Sequence, residues 1–221
     1  MKNECIDSLA DRVMERLFGH VIEIEASGRH VHLSRDAVER LFGRGYQLTK
    51  KAELSQPGQF VCRERVSLRG AKGTLDGVAV LGPERAETQV ELSATDALAL
   101  GVKAPVRMSG QLEGTPGITL IGPRGELSLP RGVLIAKRHV HLTPEDARRF
   151  GVKNGEEVEV SVLGERALVF RSVAVRVSPD FASYMHIDYD EANACGFRRG
   201  MAGILRISGE GSADDRNRTA D

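Results

Sequence analysis

Tryptophan is absent from these 221 residues, aromatic residues make up only 5%, and there are just three cysteines. No apolar run approaches the roughly 20 residues that a membrane-spanning helix needs. The N-terminus also lacks the apolar core of a secretory signal peptide, so secretion is not expected. The cysteines, Cys5, Cys62 and Cys195, are scattered and form no Cys-X-X-Cys pair. That argues against a disulfide scaffold and a cysteine zinc site, and it fits a reducing, intracellular setting. Cys195 reads as a small buried thiol rather than a nucleophile, because nothing near it would activate it. An excess of either charge is missing too, with 31 Lys and Arg against 31 Asp and Glu. A protein whose affinity comes from neutralising nucleic-acid phosphates needs a positive excess. What remains is 41% hydrophobic and 28% charged, an ordinary globular composition with enough chain for one large or two small domains.

The first twenty residues stand apart. Ile6, Leu9, Val13, Met14, Leu17 and Phe18 recur at spacings of three and four, with Lys2, Asp7, Asp11, Arg12 and Arg16 on the other side. This predicts an amphipathic N-terminal helix within residues 1–20, which either packs on the body or docks a partner surface. From Val21 the pattern turns mainly to β. Alternating runs at Val21–Ile24, Val78–Leu81, Ile118–Ile121, Val133–Ala136, Val158–Val162 and Val173–Val177 are separated by Gly, Pro and Asn. Many short strands with such punctuation predict compact barrels or sandwiches. Residues 209–221 are polar, charged and without large aliphatics, and are expected to form a disordered tail.

An internal repeat carries more information. One copy runs His139-Val140-His141-Leu142-Thr143-Pro144-Glu145-Asp146-Ala147 and reaches Gly151-Val152-Lys153. A second runs Val90-Glu91-Leu92-Ser93-Ala94-Thr95-Asp96-Ala97 and reaches Gly101-Val102-Lys103. A third begins at Met185-His186-Ile187-Asp188 and ends at Gly196; a fourth, His30-Val31-His32-Leu33-Ser34, reads as one residue shorter and ends near Gly43. Each copy has the same local logic: a strand ends, Ser, Thr or Asp caps a short helix, an acid sits in the first turn, and Gly closes it. Two places before the caps stand His32, Glu91, His141 and His186.

Of the six histidines, His30, His32, His139, His141 and His186 fall in these units and only His20 lies outside. Residues two apart on a strand share a face, so each His-X-His pair presents two imidazoles together. Six ligands are too many for one tetrahedral ion but suit two ions with three protein ligands each, leaving positions open for water or substrate. The expected grouping is His30, His32 and Glu91 on one ion, with His139, His141 and His186 on the other.

At this level the chain resembles the PduL-type phosphotransacylases. The residues that carry the resemblance are Arg29-His30-Val31-His32-Leu33-Ser34, Ser55-Gln56-Pro57-Gly58-Gln59, Leu81-Gly82-Pro83-Glu84-Arg85, Thr88-Gln89-Val90-Glu91-Leu92-Ser93, Arg138-His139-Val140-His141-Leu142-Thr143 and Met185-His186-Ile187-Asp188-Tyr189-Asp190-Glu191-Ala192-Asn193. They follow the family's order and cover about Val21 to Ser208. The resemblance implies a phosphate acyltransferase of the phosphate propanoyltransferase type, with two zinc ions and CoA as substrate or product. It also implies two small β-barrel domains, one inserted in the other: residues 21–28 plus 137–208, and residues 29–136 between them. Arg85 matches the phosphate-binding arginine, Ala26, Ser27 and Gly28 the stretch beside CoA, and Asn193 another CoA contact; Lys72 is a further CoA candidate. Ala79 stands where some relatives carry a basic residue, so a CoA phosphate contact does not carry over there. The Ser55–Gln59 loop suits a type II turn, and the resemblance implies a place near the substrate.

The expected reaction is direct attack of phosphate on the thioester, since no Ser-His-Asp or Cys-His arrangement competes. A two-metal hydrolase of an ester or phosphate is the alternative enzyme, and a non-enzymatic metal-binding protein the alternative outside catalysis. In microcompartment relatives a short amphipathic N-terminal helix directs the enzyme into the shell. Residues 1–20 resemble such an extension, which implies a bacterial microcompartment location and shell proteins as partners. A homo-oligomer is left open, and neither nucleic acid nor membrane is expected as a partner.

Overall fold

The structure, a computed structural model, describes residues 20–207. The expected N-terminal helix, save its last residue, and the expected disordered tail lie outside the described residues. The chain lays down one strand, β1 (Val21–Ser27), leaves it for nine others, and then returns. The nine are β2 (His30–Ser34), β3 (Lys50–Glu53), β4 (Phe60–Arg69), β5 (Thr74–Arg85), β6 (Gln89–Leu92), β7 (Val106–Arg107), β8 (Ile118–Gly122), β9 (Gly125–Leu129) and β10 (Val133–Ala136). They make one sheet in the order β7-β10-β6-β2-β5-β4-β8-β9, with β3 paired to β4. The later strands are β11 (His139–Leu142), β12 (Glu157–Val162), β13 (Leu168–Val177), β14 (Tyr184–Asp188) and β15 (Ala202–Ile207). These join β1 in a closed barrel ordered β1-β14-β11-β13-β12-β15. The mainly β reading with two barrel-like bodies holds; one body closes and the other stops as a curled half-barrel.

Alternation explains both cores. In β12, Val158, Val160 and Val162 turn inward while Glu157 stays outside. They pack with Ile22, Ile24, Val173, Val175, Met185, Ile187 and Leu205 in the barrel. The half-barrel has its own core of Val31, Leu33, Val66, Leu68, Val78, Val80, Val90, Leu100 and Leu120. All six alternating runs named from sequence fall inside strands.

Four short helices follow four strands: α1 (Arg35–Phe42), α2 (Ala94–Leu100), α3 (Pro144–Phe150) and α4 (Tyr189–Cys195). Their N-caps are Ser34, Ser93, Thr143 and Asp188, each side chain accepting from a first-turn backbone N–H. Asp188 and Glu191 complete a reciprocal capping box. Gly101, Gly151 and Gly196 end their helices in the left-handed region, as the repeat predicts. The His30 unit corrects its expected length: α1 has 8 residues against 7 in the others, so the unit is longer, not shorter. Its Gly43 accordingly stops the helix at φ 112°, ψ 154° instead.

Cys195 is buried, its thiol bonded to the Ala192 carbonyl at 3.5 Å, and burial raises its pKa. Among the described residues no helix is long and apolar enough to cross a membrane.

Candidate metal and phosphate site

Each His-X-His strand lies antiparallel to the strand that brings the third ligand. In the half-barrel β2 pairs β6, with His30 opposite Glu91. In the barrel β11 pairs β14, with His139 opposite His186. The second histidine follows two places along on the same face, so three side chains converge without any loop. Potential ligand atoms of His30, His32 and Glu91 all lie within 4.8 Å of one another, and so do those of His139, His141 and His186. The structure thus brings together the two sets of three expected from the repeat.

The first histidine of each pair is aimed by its own backbone. His30 Nδ1 donates to the Gly28 carbonyl and His139 Nδ1 to the Lys137 carbonyl, each at 2.8 Å. This leaves the lone pair on Nε2. By contrast, His32 Nδ1 and His141 Nδ1 are buried with no hydrogen-bond partner. A buried ring nitrogen without a donor is costly unless a cation meets the ring.

Protonation suits metal binding as well. Burial, aided by the neighbouring charges of His30 and Arg85, drives His32 down to about 2. Burial with His139, His186 and Arg176 takes His141 to about 2, and burial with His139 takes His186 to about 3. His139 is lowered mainly by burial. His30 differs: burial would lower it, but the charge and hydrogen bond of Glu91 prevail and raise it. Burial likewise pushes Glu91 up, but His30, His32 and Ser109 hold it well below the usual carboxylate range. Four imidazoles and the carboxylate thus already have the ligand forms a divalent cation requires, and an ion at His30 would displace its proton. The residues present fit two zinc ions.

Around Glu91 runs a polar chain that the sequence did not reveal. Ser109 Oγ donates to Glu91 Oε1 at 3.0 Å and accepts from Arg85 Nη1 at 3.1 Å and Gln89 Nε2 at 2.9 Å. Gln89 also donates to Glu91 Oε1 at 2.5 Å. Across the cavity Arg176, the register partner of His141, places Nη1 3.4 Å from His141 Nε2 and stacks over Phe181 at 5.4 Å. Nothing in the sequence signalled it, since Arg176 falls on the outward face of the alternating run Val173–Val177, where a charged residue is ordinary. Ser109 follows a two-residue strand and offers no signal either. Burial lowers the pKa of both guanidiniums, which are about half enclosed and remain charged.

Both groups and both arginines open onto one cavity of about 430 Å³. Ala26, Ser27 and Gly28 line it together with Tyr189; a Cβ on Gly28 would stand 2.7 Å from the Tyr189 ring. Gln56 and Gln59 line it too, the turn between them closed by Gln59 N–H to the Gln56 carbonyl with Gly58 at φ 73°. That is the expected type II geometry. Val61, Ala79 and Leu81 form an apolar wall beside His30 and His32. Lys72 and Asn193 are not brought to the cavity: Lys72 lies against Gly101, and Asn193 is exposed on α4.

Two groups of metal-competent side chains and two guanidiniums in one cavity, on a mainly β scaffold, make a site suited to divalent cations and anionic oxygens. Residues 23–198 match the family model of phosphate propanoyltransferases. A phosphate propanoyltransferase of Listeria monocytogenes is 55% identical over 206 residues, 93% of this chain and 97% of that protein. One from Thermotoga maritima is 56% identical over 174 residues, 78% and 83% of the two chains. One from Salmonella typhimurium is 48% identical over 197 residues, 89% and 93%. The chain belongs to the phosphate propanoyltransferase family and is an acyltransferase.

Proposed function

We propose that the chain converts acyl-CoA and phosphate to acyl phosphate and CoA, with propanoyl-CoA as the acyl donor and two zinc ions in the site. The observation that carries this is the single cavity shared by both ligand groups, Arg85 and Arg176. His30, His32 and Glu91 would hold one ion, and His139, His141 and His186 the other. Bound zinc would supply Lewis-acid polarisation of carbonyl and phosphoryl oxygens.

The chain's own residues account for the rest. Arg85, tied to Ser109, offers a planar fork to phosphate oxygens and holds the nucleophile beside the thioester. A phosphate oxygen forms the new C–O bond, the C–S bond breaks, and CoA leaves as the thiolate. No covalent acyl-enzyme is needed. The described thiols are buried with raised pKa, Cys62 to about 11, and neither lines the cavity. The wall of Val61, Ala79 and Leu81 gives a short acyl chain an apolar surface next to the ligands, which favours propanoyl over a bare acetyl. Ala26, Ser27 and Gly28, which line the cavity as Lys72 and Asn193 do not, would contact CoA.

Arg85→Ala should lower kcat/KM for phosphate by about 100-fold or more while zinc content stays unchanged. Normal phosphate dependence in that variant would remove Arg85 from the site. CoA release from propanoyl-CoA should require phosphate; equal release without it would mean a hydrolase instead. We further propose that residues 1–20 address the enzyme to a microcompartment by binding shell protein. Deleting residues before Gly19 should abolish encapsulation and spare activity, and unchanged encapsulation would sink that role.

A further inference from the structure

We propose that Glu25 is a positioning residue for His186, held in that role by Ser55 from the turn between β3 and β4. The inference rests on the two-zinc reading above. Glu25 and His186 are register partners on the parallel strands β1 and β14. Glu25 Oε2 lies 3.8 Å from His186 Nδ1, and Ser55 Oγ donates to the same oxygen at 2.5 Å.

The other end of the ring settles which nitrogen carries the proton. Gln56 is buried, and its amide is oriented by the Ala182 backbone: Oε1 accepts from Ala182 N–H at 3.3 Å and Nε2 donates to the Ala182 carbonyl at 2.9 Å. The same Nε2 lies 3.4 Å from His186 Nε2. An amide nitrogen only donates, so His186 Nε2 holds the lone pair and Nδ1 the hydrogen. Nδ1 is the ring nitrogen beside Glu25, at an electrostatic distance rather than a hydrogen-bond one. Consecutive residues Ser55 and Gln56 thus reach the two ends of the His186 ring, Ser55 through Glu25 and Gln56 beside the Nε2 that would meet the ion.

The chemical reason is a difference between the ligand sets. Glu91 gives one set a full negative charge, whereas three imidazoles carry none. His139 leans on a neutral carbonyl. Glu25 supplies the missing charge one bond further out, which raises the basicity of His186 as a ligand. The two ions would then differ in how tightly they are held for a reason that lies outside their ligands.

Glu25→Gln keeps the shape and can still accept from Ser55, but loses the charge. Chelator competition on zinc-loaded full-length protein should show one ion weakened about 10- to 100-fold and the other unchanged. Ser55→Ala should weaken the same ion by less. In a His186→Ala background, Glu25→Gln should change nothing further. Wild-type affinity for both ions in Glu25→Gln would overturn the proposal, as would an equal additional loss in the His186→Ala background. A fall in the melting temperature of the metal-free Glu25→Gln protein large enough to account for the loss would also overturn it, making Glu25 a structural tie. A wild-type chain that binds no zinc would sink the two-zinc reading and this inference together; two bound ions unaffected by Glu25→Gln would sink this inference alone.

Discussion

His32, His141 and His186 are neutral in the fold first because burial strips the charged form of water, and only then because of neighbouring charge. In the unfolded chain they protonate near 6.5. Their folded values of about 2, about 2 and about 3 are depressed, so the stability they contribute is present above about pH 6.5 and lost as pH falls. Each gives a slope of roughly 1.4 kcal/mol per pH unit below 6.5. His30 runs the other way: its raised pKa makes its contribution complete below the ordinary value and lost as pH rises above it, so it leaves the slope below 6.5 untouched and acts only on the alkaline side. The metal-free protein should show a clearly lower urea midpoint at pH 5.5 than at pH 7.5, with an unchanged m-value. A flat profile would mean that these rings are charged in the folded state. Zinc should move the fall to lower pH, because the ion competes with the proton for the same lone pairs.

At the scale of elements, the repeated strand, cap, helix and glycine was legible because every part of it is local. Ser34, Ser93, Thr143 and Asp188 could be read as caps from spacing alone, and the structure puts them there. The pairing of β2 with β6 was not legible. Three strands intervene between His30 and Glu91, and nothing in either segment encodes its neighbour. Equally hidden were the residues that matter through another chain segment: Ser109 through Glu91, Arg176 through His141, Ser55 through Glu25. Close backbone approach was also out of reach. At the end of β4 a Cβ on Gly70 would stand 2.1 Å from the Leu100 carbonyl, the same oxygen that accepts from Lys72 N–H at 3.0 Å. Gly70→Ala should therefore cost about 1–3 kcal/mol in urea unfolding, since the obstacle is backbone and must move as a unit. Gly28→Ala meets only the tip of the Tyr189 ring, which can swing aside, and makes the matched control.

For the whole molecule, the two bodies came from the family resemblance, while composition and alternation were enough to predict a mainly β protein. They could not say that one sheet closes while the other stays open, since that depends on which edges find partners. One ligand group lies in each sheet, so metal loading should stabilise both bodies. An ion at about 1,000 times its Kd adds about 4 kcal/mol. At roughly 2–4 °C per kcal/mol for a chain of this size, chelation should lower Tm by roughly 8–16 °C for each ion whose body melts with the rest. Calorimetry before and after chelator treatment measures it, and an unchanged Tm would mean the groups hold no metal.

That each group of three is drawn wholly from one sheet has a mechanical side. Tilting one sheet against the other changes the gap between the groups but leaves the spacing within each group intact. The ties that span this gap, Gln56 to Ala182 and Ser55 to Glu25, therefore act on the distance between the groups and not on the spacing within either.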